Sequence, residues 1–489
     1  VRTYIDRVLG RFGYYRQQQI TGNSGSVAAI RESSLAQYFQ LLWAYYDNND
    51  LYDAALVSLR GIETDGLAIK SLRNPANRAV EFYASTIAPG KLPEALPIMA
   101  DNERIIEPIQ QIWNRSNWSN GKQVSIRHMA ATGNTFIKIA QRESDKAPYL
   151  QVIRPDTVSD VAHDERGHVV QIRIDTPILR DDRQYTRTEY WTPDEVRIWE
   201  HQRGDAPVAN LGDPLQRMAT ADMGIDFVPV VHIKFRETGN TYGAGCFVHV
   251  IDKIDGVNMQ MTHLNRMVFK PVIWALTANG TDQNGRPLPA VAIKSPDGKS
   301  DLNIADAKRD TMIRLPGVAD VKSLVPNLPY ADVLAVIESL MAEIECDLPE
   351  MRYWRMIDSA ESGRAVERKL APAISRAIEA RGNWEAGLAR AHMMALSIGV
   401  EAGTFRNIGS YEAGDFAHSF EARAVLPVDA MDIAELVTAR GTAGQLPHAQ
   451  RWRELGFSDE QIAQLNTERE ADIEQSARAL LSDQIVGVR

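Results

Sequence analysis

Apolar residues recur along this chain with two different periods, and the change between them divides it. From residue 33 to 47, Leu35, Tyr38, Phe39, Leu42, Trp43 and Tyr46 return at steps of three and four, which predicts an amphipathic helix that Asn48–Asn49–Asp50 ends. A second helix is expected over 74–87, capped by Asn74 with Pro75 in its first turn, and a third over 102–116, with a proline-rich connector at 89–97 between them. After Gly133 the period shortens. Phe136, Ile137 and Ile139, then Leu150, Val152 and Ile153, then Val169, Val170, Ile172 and Ile174 read as short strands. Tyr190–Trp191 and Val196–Ile198–Trp199 suggest a further hairpin, and 227–235 closes a stretch (123–236) expected to be mostly antiparallel sheet.

The helical period then returns. Gly239, Gly243 and Gly245 precede a helix with Phe247, Val250, Ile251, Ile254, Val257, Met261, Leu264 and Val268 on one face, stopped by Pro271. Residues 277–301 are rich in Gly, Pro, Asp and Asn, which reads as an irregular excursion with short strands such as 291–293. Pro326 and Pro329 introduce a helix over 330–347 with Val333, Leu334, Ile337, Leu340, Met341 and Ile344 on its apolar face. Pro349 breaks it. A long helical pattern follows over 363–398, interrupted only by Pro372, which should kink it. A β-like piece lies near 416–426, and 429–482 reads as small helices, one started by Ser458–Asp459–Glu460–Gln461.

These elements predict an α+β chain of several packed regions, since 489 residues exceed what one core usually supports. With 44% hydrophobic and 24% charged residues there is apolar surface enough for sizeable cores. The 54 basic and 64 acidic residues leave a net charge of −10, so the average field does not attract nucleic acid, although a local basic patch remains open. Two cysteines, Cys246 and Cys346, can build neither a disulfide framework nor a CxxC metal site. No run approaches the ~20 apolar residues of a membrane helix, and the first ten residues lack the apolar core of a signal peptide, so a soluble protein assembled in the cytoplasm is expected. The absence of an initiator Met suggests a start inside the natural chain.

The sequence contains no GxxxxGK[ST], HExxH, GxSxG or GxGxxG, so it announces no ATP hydrolysis, zinc proteolysis, serine chemistry or dinucleotide binding. His249 and His263 lie fourteen residues apart on one helix, too far to share a metal. Asp252 with Asp255 and Glu343 with Glu345 read as solvated helix faces before they read as acid/base pairs. The expectation is a protein with no catalytic site, cofactor or metal.

The order of its parts resembles the portal proteins of tailed bacteriophages. Asn74–Pro75–Ala76–Asn77–Arg78–Ala79–Val80–Glu81–Phe82–Tyr83 looks like that family's early helix. Ala131–Thr132–Gly133–Asn134–Thr135–Phe136–Ile137–Lys138–Ile139 looks like its step from small residues through glycine into a strand. Tyr242–Gly243–Ala244–Gly245, followed by Ile251, Asp252 and Asn258, is similar to its approach to the stem, and Glu361–Ser362–Gly363–Arg364–Ala365 to the start of its long helix. The resemblance covers roughly 70–480; the first 60 residues match nothing in it.

The resemblance implies a portal-type subunit: a mixed α/β wing over 1–246, a stem of two helices at 247–269 and 330–347, and a small α/β clip at 270–329. A tunnel loop at 348–362, a long kinked helix and wing return at 363–428, and a helical crown at 429–489 complete it. It implies a homo-oligomeric ring of about twelve copies closed by a heterologous interface, at the capsid vertex of a virion, acting in DNA packaging and ejection. The implied partners are double-stranded DNA in passage, the terminase large subunit, the major capsid or scaffolding protein, and head-completion or adaptor proteins. No membrane is implied.

Between Ser323 and Met351 there are six acidic residues and no Lys or Arg. Duplex DNA carries about one negative charge per 1.7 Å, so a basic tunnel would hold it by counterion release and an acidic one would not. Glu338, Glu343, Glu345 and Asp347 are therefore the candidate tunnel-lining residues, the alternative being an acidic face in plain solvent. Arg352, Tyr353, Trp354 and Arg355 are candidates to face DNA from the loop, with Trp354 reading equally as a buried anchor of the subunit interface. Lys294, Lys299, Lys308 and Arg309 are candidate partner-binding residues of the clip. Two other classes stay open: a different virion structural or adaptor protein, and a metal-dependent nuclease built from scattered carboxylates and histidines.

Overall fold

The computed structural model describes residues 27–48, 73–142, 144, 146–202, 212–223, 225–269, 276–279, 320–323, 330–356, 363–425, 437–438, 448–454 and 462–467. They fall into two compact units. The larger lies within Val1–Arg355 and Ser375–Glu421, the smaller within Met356–Ile374 and Ala422–Arg489.

In the larger unit, helix α1 (Val27–Asp47) buries Phe39, Leu42 and Tyr45 and ends where Asn48 turns left-handed at φ 50°. Helix α2 (Pro75–Ile87) starts as its sequence requires: the Asn74 side chain accepts the Asn77 N–H at 2.9 Å, and Pro75 occupies the first turn. After strand β1 (Ile98–Ala100), helix α3 (Ile106–Arg115) fills the third predicted position, entered through a 3-10 turn at Glu103–Ile105.

Helix α4 (Trp118–Thr132) occupies residues expected to open the sheet. Its buried face carries Lys122, Ser125, His128 and Thr132 among Ile126, Met129 and Ala130, so its polar residues hide the apolar period. Lys122, Ser125 and Thr132 are hydrogen-bonded there, while the His128 ring meets Trp43 edge-on at 5.1 Å and its Nδ1 has no hydrogen-bond partner among the described residues. Lys122 Nζ donates to the carbonyls of Ala88 at 2.6 Å and Gly90 at 2.9 Å, where α2 ends, and Ser125 accepts the Trp384 indole N–H at 3.1 Å.

Two antiparallel sheets follow. Strands β2 (Asn134–Gln141), β3 (Pro148–Ile153) and β9 (Val230–Lys234) pair in the order β3-β2-β9. Strands β4 (Val158–His163), β5 (Val169–Arg180), β6 (Arg183–Trp191), β7 (Glu195–Gln202) and β8 (Gln216–Ala219) form a five-stranded meander. The hairpin read from Tyr190–Trp191 and Val196–Trp199 is β6-β7, with Trp191 opposite Val196. One apolar cluster serves both sheets: Ile172, Ile174, Trp191, Val196 and Ile198 of the meander pack with Phe136, Ile153 and Val230 of the smaller sheet.

Helix α5 (Ile251–Phe269) begins four residues later than predicted, after a 3-10 turn at Val248–Val250. Strands β10 (Leu276–Asn279) and β11 (Asp320–Ser323) form an antiparallel ribbon that joins the departure and return of the segment between them. The strand expected at 291–293 and the candidates Lys294, Lys299, Lys308 and Arg309 lie outside the described residues. Helix α6 (Tyr330–Asp347) has the predicted bounds. Helix α7 (Met351–Met356) comes next, then α8 (Gly363–Glu401), which contains Pro372 without ending there. Strand β12 (His418–Phe420) pairs with β1. In the smaller unit, helix α9 (His448–Glu454) and the helical residues 462–467 are described, whereas Ser458–Asp459–Glu460–Gln461 are not.

Candidate functional site

Two of the phrases singled out in the sequence, 109 residues apart, meet in space. Gly133 ends α4 at φ 83°, and the Tyr242–Gly243–Ala244–Gly245 segment crosses directly over it. A Cβ on Gly133 would stand 2.5 Å from the Ala244 carbonyl carbon, so only a residue without one fits. Asn134 staples the crossing: its Oδ1 accepts the Gly243 N–H at 2.8 Å and the His232 Nε2–H at 2.9 Å, while Cys246 N–H donates to Ala130 O at 2.8 Å. The glycines thus serve close backbone contact, and the crossing aims the chain into α5.

Helix α5 is anchored on the side away from α6. Tyr45 Oη donates to the buried Asp255 carboxylate at 2.9 Å, and Asn258 accepts the Arg73 N–H at 2.7 Å. This removes Asp255 from the proposed solvated pair with Asp252, because Asp255 is only 2% exposed.

Helix α6 packs along α5, and three donors converge where α6 ends. Lys253 Nζ lies 2.7 Å from Asp347 Oδ2 and 3.3 Å from Glu343 Oε2, while His249 Nε2–H at 3.2 Å and Arg376 Nη1 at 3.0 Å donate to the Asp347 carbonyl. Positive groups at a helix C-terminus satisfy its free carbonyls and complement the negative end of its dipole. The hydrogen bond from Lys253 holds the Asp347 carboxyl below the usual range, and the same contact raises the Lys253 amine.

The acidic residues of α6 do not share one side. At 3.6 residues per turn, Glu343 and Asp347 are a turn apart and face Lys253, while Glu338 and Glu345, seven apart, lie on the opposite flank. Glu345 is paired with Arg355 at 2.9 Å, and Glu338 is exposed. Beyond Asp347, Glu350 is fully buried with neither oxygen in a well-formed hydrogen bond. Burial pushes its carboxyl up to about 7, against the opposing pull of its own backbone amide and of Arg376, 3.7 Å away.

Arg352, Tyr353, Trp354 and Arg355, expected on a loop, lie on α7; residues 357–362 of the expected loop are outside the described residues. The four turn back onto their own chain. Tyr353 meets Phe82 edge-on at 5.5 Å, and the Trp354 indole N–H donates to Arg78 O at 3.1 Å. Arg352 approaches Cys346 Sγ at 4.0 Å, and Arg355 pairs with Glu345. Trp354 is therefore an anchor onto α2 within one chain.

Sequence reasoning missed Lys253, His249, Arg376 and Glu350. The first three act on a helix end far along the chain, and no local spacing signals that. Among the described residues no cluster of three or more His, Cys, Asp or Glu could hold a metal ion, and no helix is long and apolar enough to cross a membrane.

No family model matches this sequence, and no curated protein matches it. Solved structures do. A chain from the neck of an empty GTA particle computed with C6 symmetry is 16% identical with a TM-score of 0.47, over 79% of this chain and 90% of that one. A chain from the virion of a native gene transfer agent particle is 16% identical with a TM-score of 0.43, over 78% and 89%. A chain from the neck of a native GTA particle computed with C12 symmetry is 14% identical with a TM-score of 0.43, over the same shares.

Proposed function

We propose that this chain is a portal-type subunit that closes into a ring of about twelve copies and conducts double-stranded DNA through a virion vertex. The observation that carries the reading is the incomplete cover of α6. Only Ile337 and Ile344 of its apolar face are buried, while Leu334 is 45% and Val336 51% exposed. A helix this apolar whose main packing partner among the described residues is α5 is stable with a second surface against it, and copies of the same helix pair around an axis supply one.

In this reading α5 and α6 are the stem, and the segment between β10 and β11 is the clip. Glu338, exposed and in no ion pair among the described residues, faces the channel, with Glu343, Glu345 and Asp347 paired to Lys253 and Arg355. An axis lined this way exchanges no counterions with phosphate, so DNA slides without sticking. The chain supplies conduit and docking platform; the motor force comes from a separate terminase ATPase, and capsid, scaffolding and adaptor proteins dock on the ring. It catalyses nothing itself.

Electron micrographs of the purified protein test this directly. Rings with a central hole are expected, and a population of monomers or flat sheets would sink the proposal. Replacing Glu338, Glu343 and Glu345 by Lys is expected to preserve rings and impair packaging; normal packaging would remove the acidic lining from the account.

A further inference from the structure

At the foot of α6 one guanidinium nitrogen stands between two oxygens of different kinds. Arg376 Nη1, from α8, donates to the Asp347 carbonyl at 3.0 Å, and the same nitrogen lies 3.7 Å from Glu350 Oε2, too far for a hydrogen bond. Glu350 is 0% exposed, and neither of its oxygens has a well-formed hydrogen bond. The groups that face it come from every side. Besides Arg376 they are Tyr83 of α2, whose hydroxyl is equally buried, the exposed Arg236 beyond β9, and the buried Cys246 thiol of the glycine crossing. Asp347 next to it is held separately, its carboxylate by Lys253 at 2.7 Å and its carbonyl also by His249 at 3.2 Å.

We propose that Glu350 and Arg376 form a proton-operated latch on α6: while Glu350 is neutral Arg376 stays on the Asp347 carbonyl, and when Glu350 ionises the guanidinium moves onto the carboxylate and frees the last turn of the helix. The distances carry the argument. Closing 3.7 Å to the roughly 2.8 Å of a charge-assisted bond is a movement of about 1 Å, within reach of a side-chain adjustment. The driving force is the burial. A neutral carboxyl tolerates this site, whereas a carboxylate buried without a hydrogen bond does not, and a guanidinium is the donor that also answers its charge. Burial pushes the Glu350 carboxyl up to about 7, against the opposing pull of its own backbone amide, Arg376, Tyr83 and Arg236. Burial also pushes Tyr83 and Cys246 well up and His249 down, which leaves Glu350 as the group of this cluster that changes charge near neutrality. Release is partial, because His249 and Lys253 keep their hold on Asp347.

Amide hydrogen exchange of the full chain, followed by mass spectrometry from about pH 6.5 to about pH 8 and corrected for the intrinsic pH dependence of exchange, tests the latch. Protection of the amides of residues 344–348 is expected to fall about fivefold as pH rises, the effect of one lost hydrogen bond at the helix end. Glu350→Gln is expected to keep the protection seen at the acidic end across the whole range; Glu350→Met, which fills the site without a polar atom, is expected to be equally flat and covers the case in which the amide is not tolerated. Arg376→Met is expected to show the low protection of the alkaline end at every pH. Wild-type protection that does not change with pH, a fall that persists in both Glu350 variants, or one that persists in Arg376→Met would overturn the proposal. Ring formation plays no part in the readout, so the result stands apart from the portal reading.

Discussion

The glycine crossing and helix α6 are built on opposite terms. At the crossing, Gly133, Asn134, Gly243 and Cys246 satisfy one another within the chain and leave no room for a single added carbon. On α6, apolar Leu334 and Val336 and acidic Glu338 face outward, and only the end of the helix, at Asp347, is held firmly. The first region specifies a fold. The second is left unfinished by the fold, and a surface of that kind acquires its purpose from another molecule.

The contrast is sharpest in mutation. Gly133→Val combines a strained left-handed backbone with overlap of the Ala244 backbone, and is expected to cost about 4 kcal/mol or more, read as collapse of the urea midpoint. A wild-type midpoint would erase the distinction between the two regions. Leu334→Ser with Val336→Ser is expected to change the unfolding free energy of the chain by less than about 0.5 kcal/mol while abolishing rings in micrographs. Strong destabilisation of the isolated chain would move that face into the core.

A smaller effect separates the two regions by pH. In the closed part of the fold the Trp113 indole N–H donates to His392 Nε2 at 2.9 Å, so neutral His392 donates through Nδ1 to His418 Nε2 at 3.1 Å, and His418 donates through Nδ1 to Phe416 O at 2.9 Å. Every proton is assigned, and a second proton on either ring would set two donors face to face. Burial lowers both pKa values, most for His392, where His418 adds to it. Their contribution is complete above the unfolded value of 6.5 and is lost as pH falls below it. Glu350, at the foot of α6, works in the opposite sense. Its pKa is raised from 4.5 to about 7, so its contribution is present below pH 4.5 and is lost as pH rises through 7. Urea midpoints between pH 5 and 8 are expected to show both limbs, and Glu350→Gln to flatten only the alkaline one; an unchanged alkaline limb would take Glu350 out of the balance.

Smallest of all, Trp354→Phe loses the bond to Arg78 O and is expected to cost about 1 kcal/mol without loss of rings. Loss of rings at normal chain stability would return Trp354 to the subunit interface.

Where local chemistry governs an element, its bounds were legible. Asn74–Pro75 marks the start of α2 because a side-chain acceptor and a fixed φ act within one turn. Pro329 and Pro349 bracket α6, and the apolar positions at Tyr190–Trp191 and Val196–Trp199 mark the β6-β7 hairpin. Helix α4 was illegible because Lys122 and Ser125 are buried on partners supplied by the end of α2 and by α8, and His128 against Trp43 of α1, which no window of neighbouring residues contains. The α6 acids were legible as charges and not as partners. Their pairing with Lys253, 94 positions back, depends on α5 being laid beside them.

By itself, the amino-acid order determined periods, breaks and charge: an α+β chain, a helix stripped of positive residues, and phrases punctuated by glycine. Only the tertiary structure decided that two of those glycine phrases are one crossing, that Glu343 and Asp347 turn to Lys253 while Glu338 does not, and that Arg352 through Arg355 lie back on their own chain. Dihedral preferences and hydrophobic period act over a few residues, whereas ion pairs and uncovered faces exist only once distant segments have been brought together.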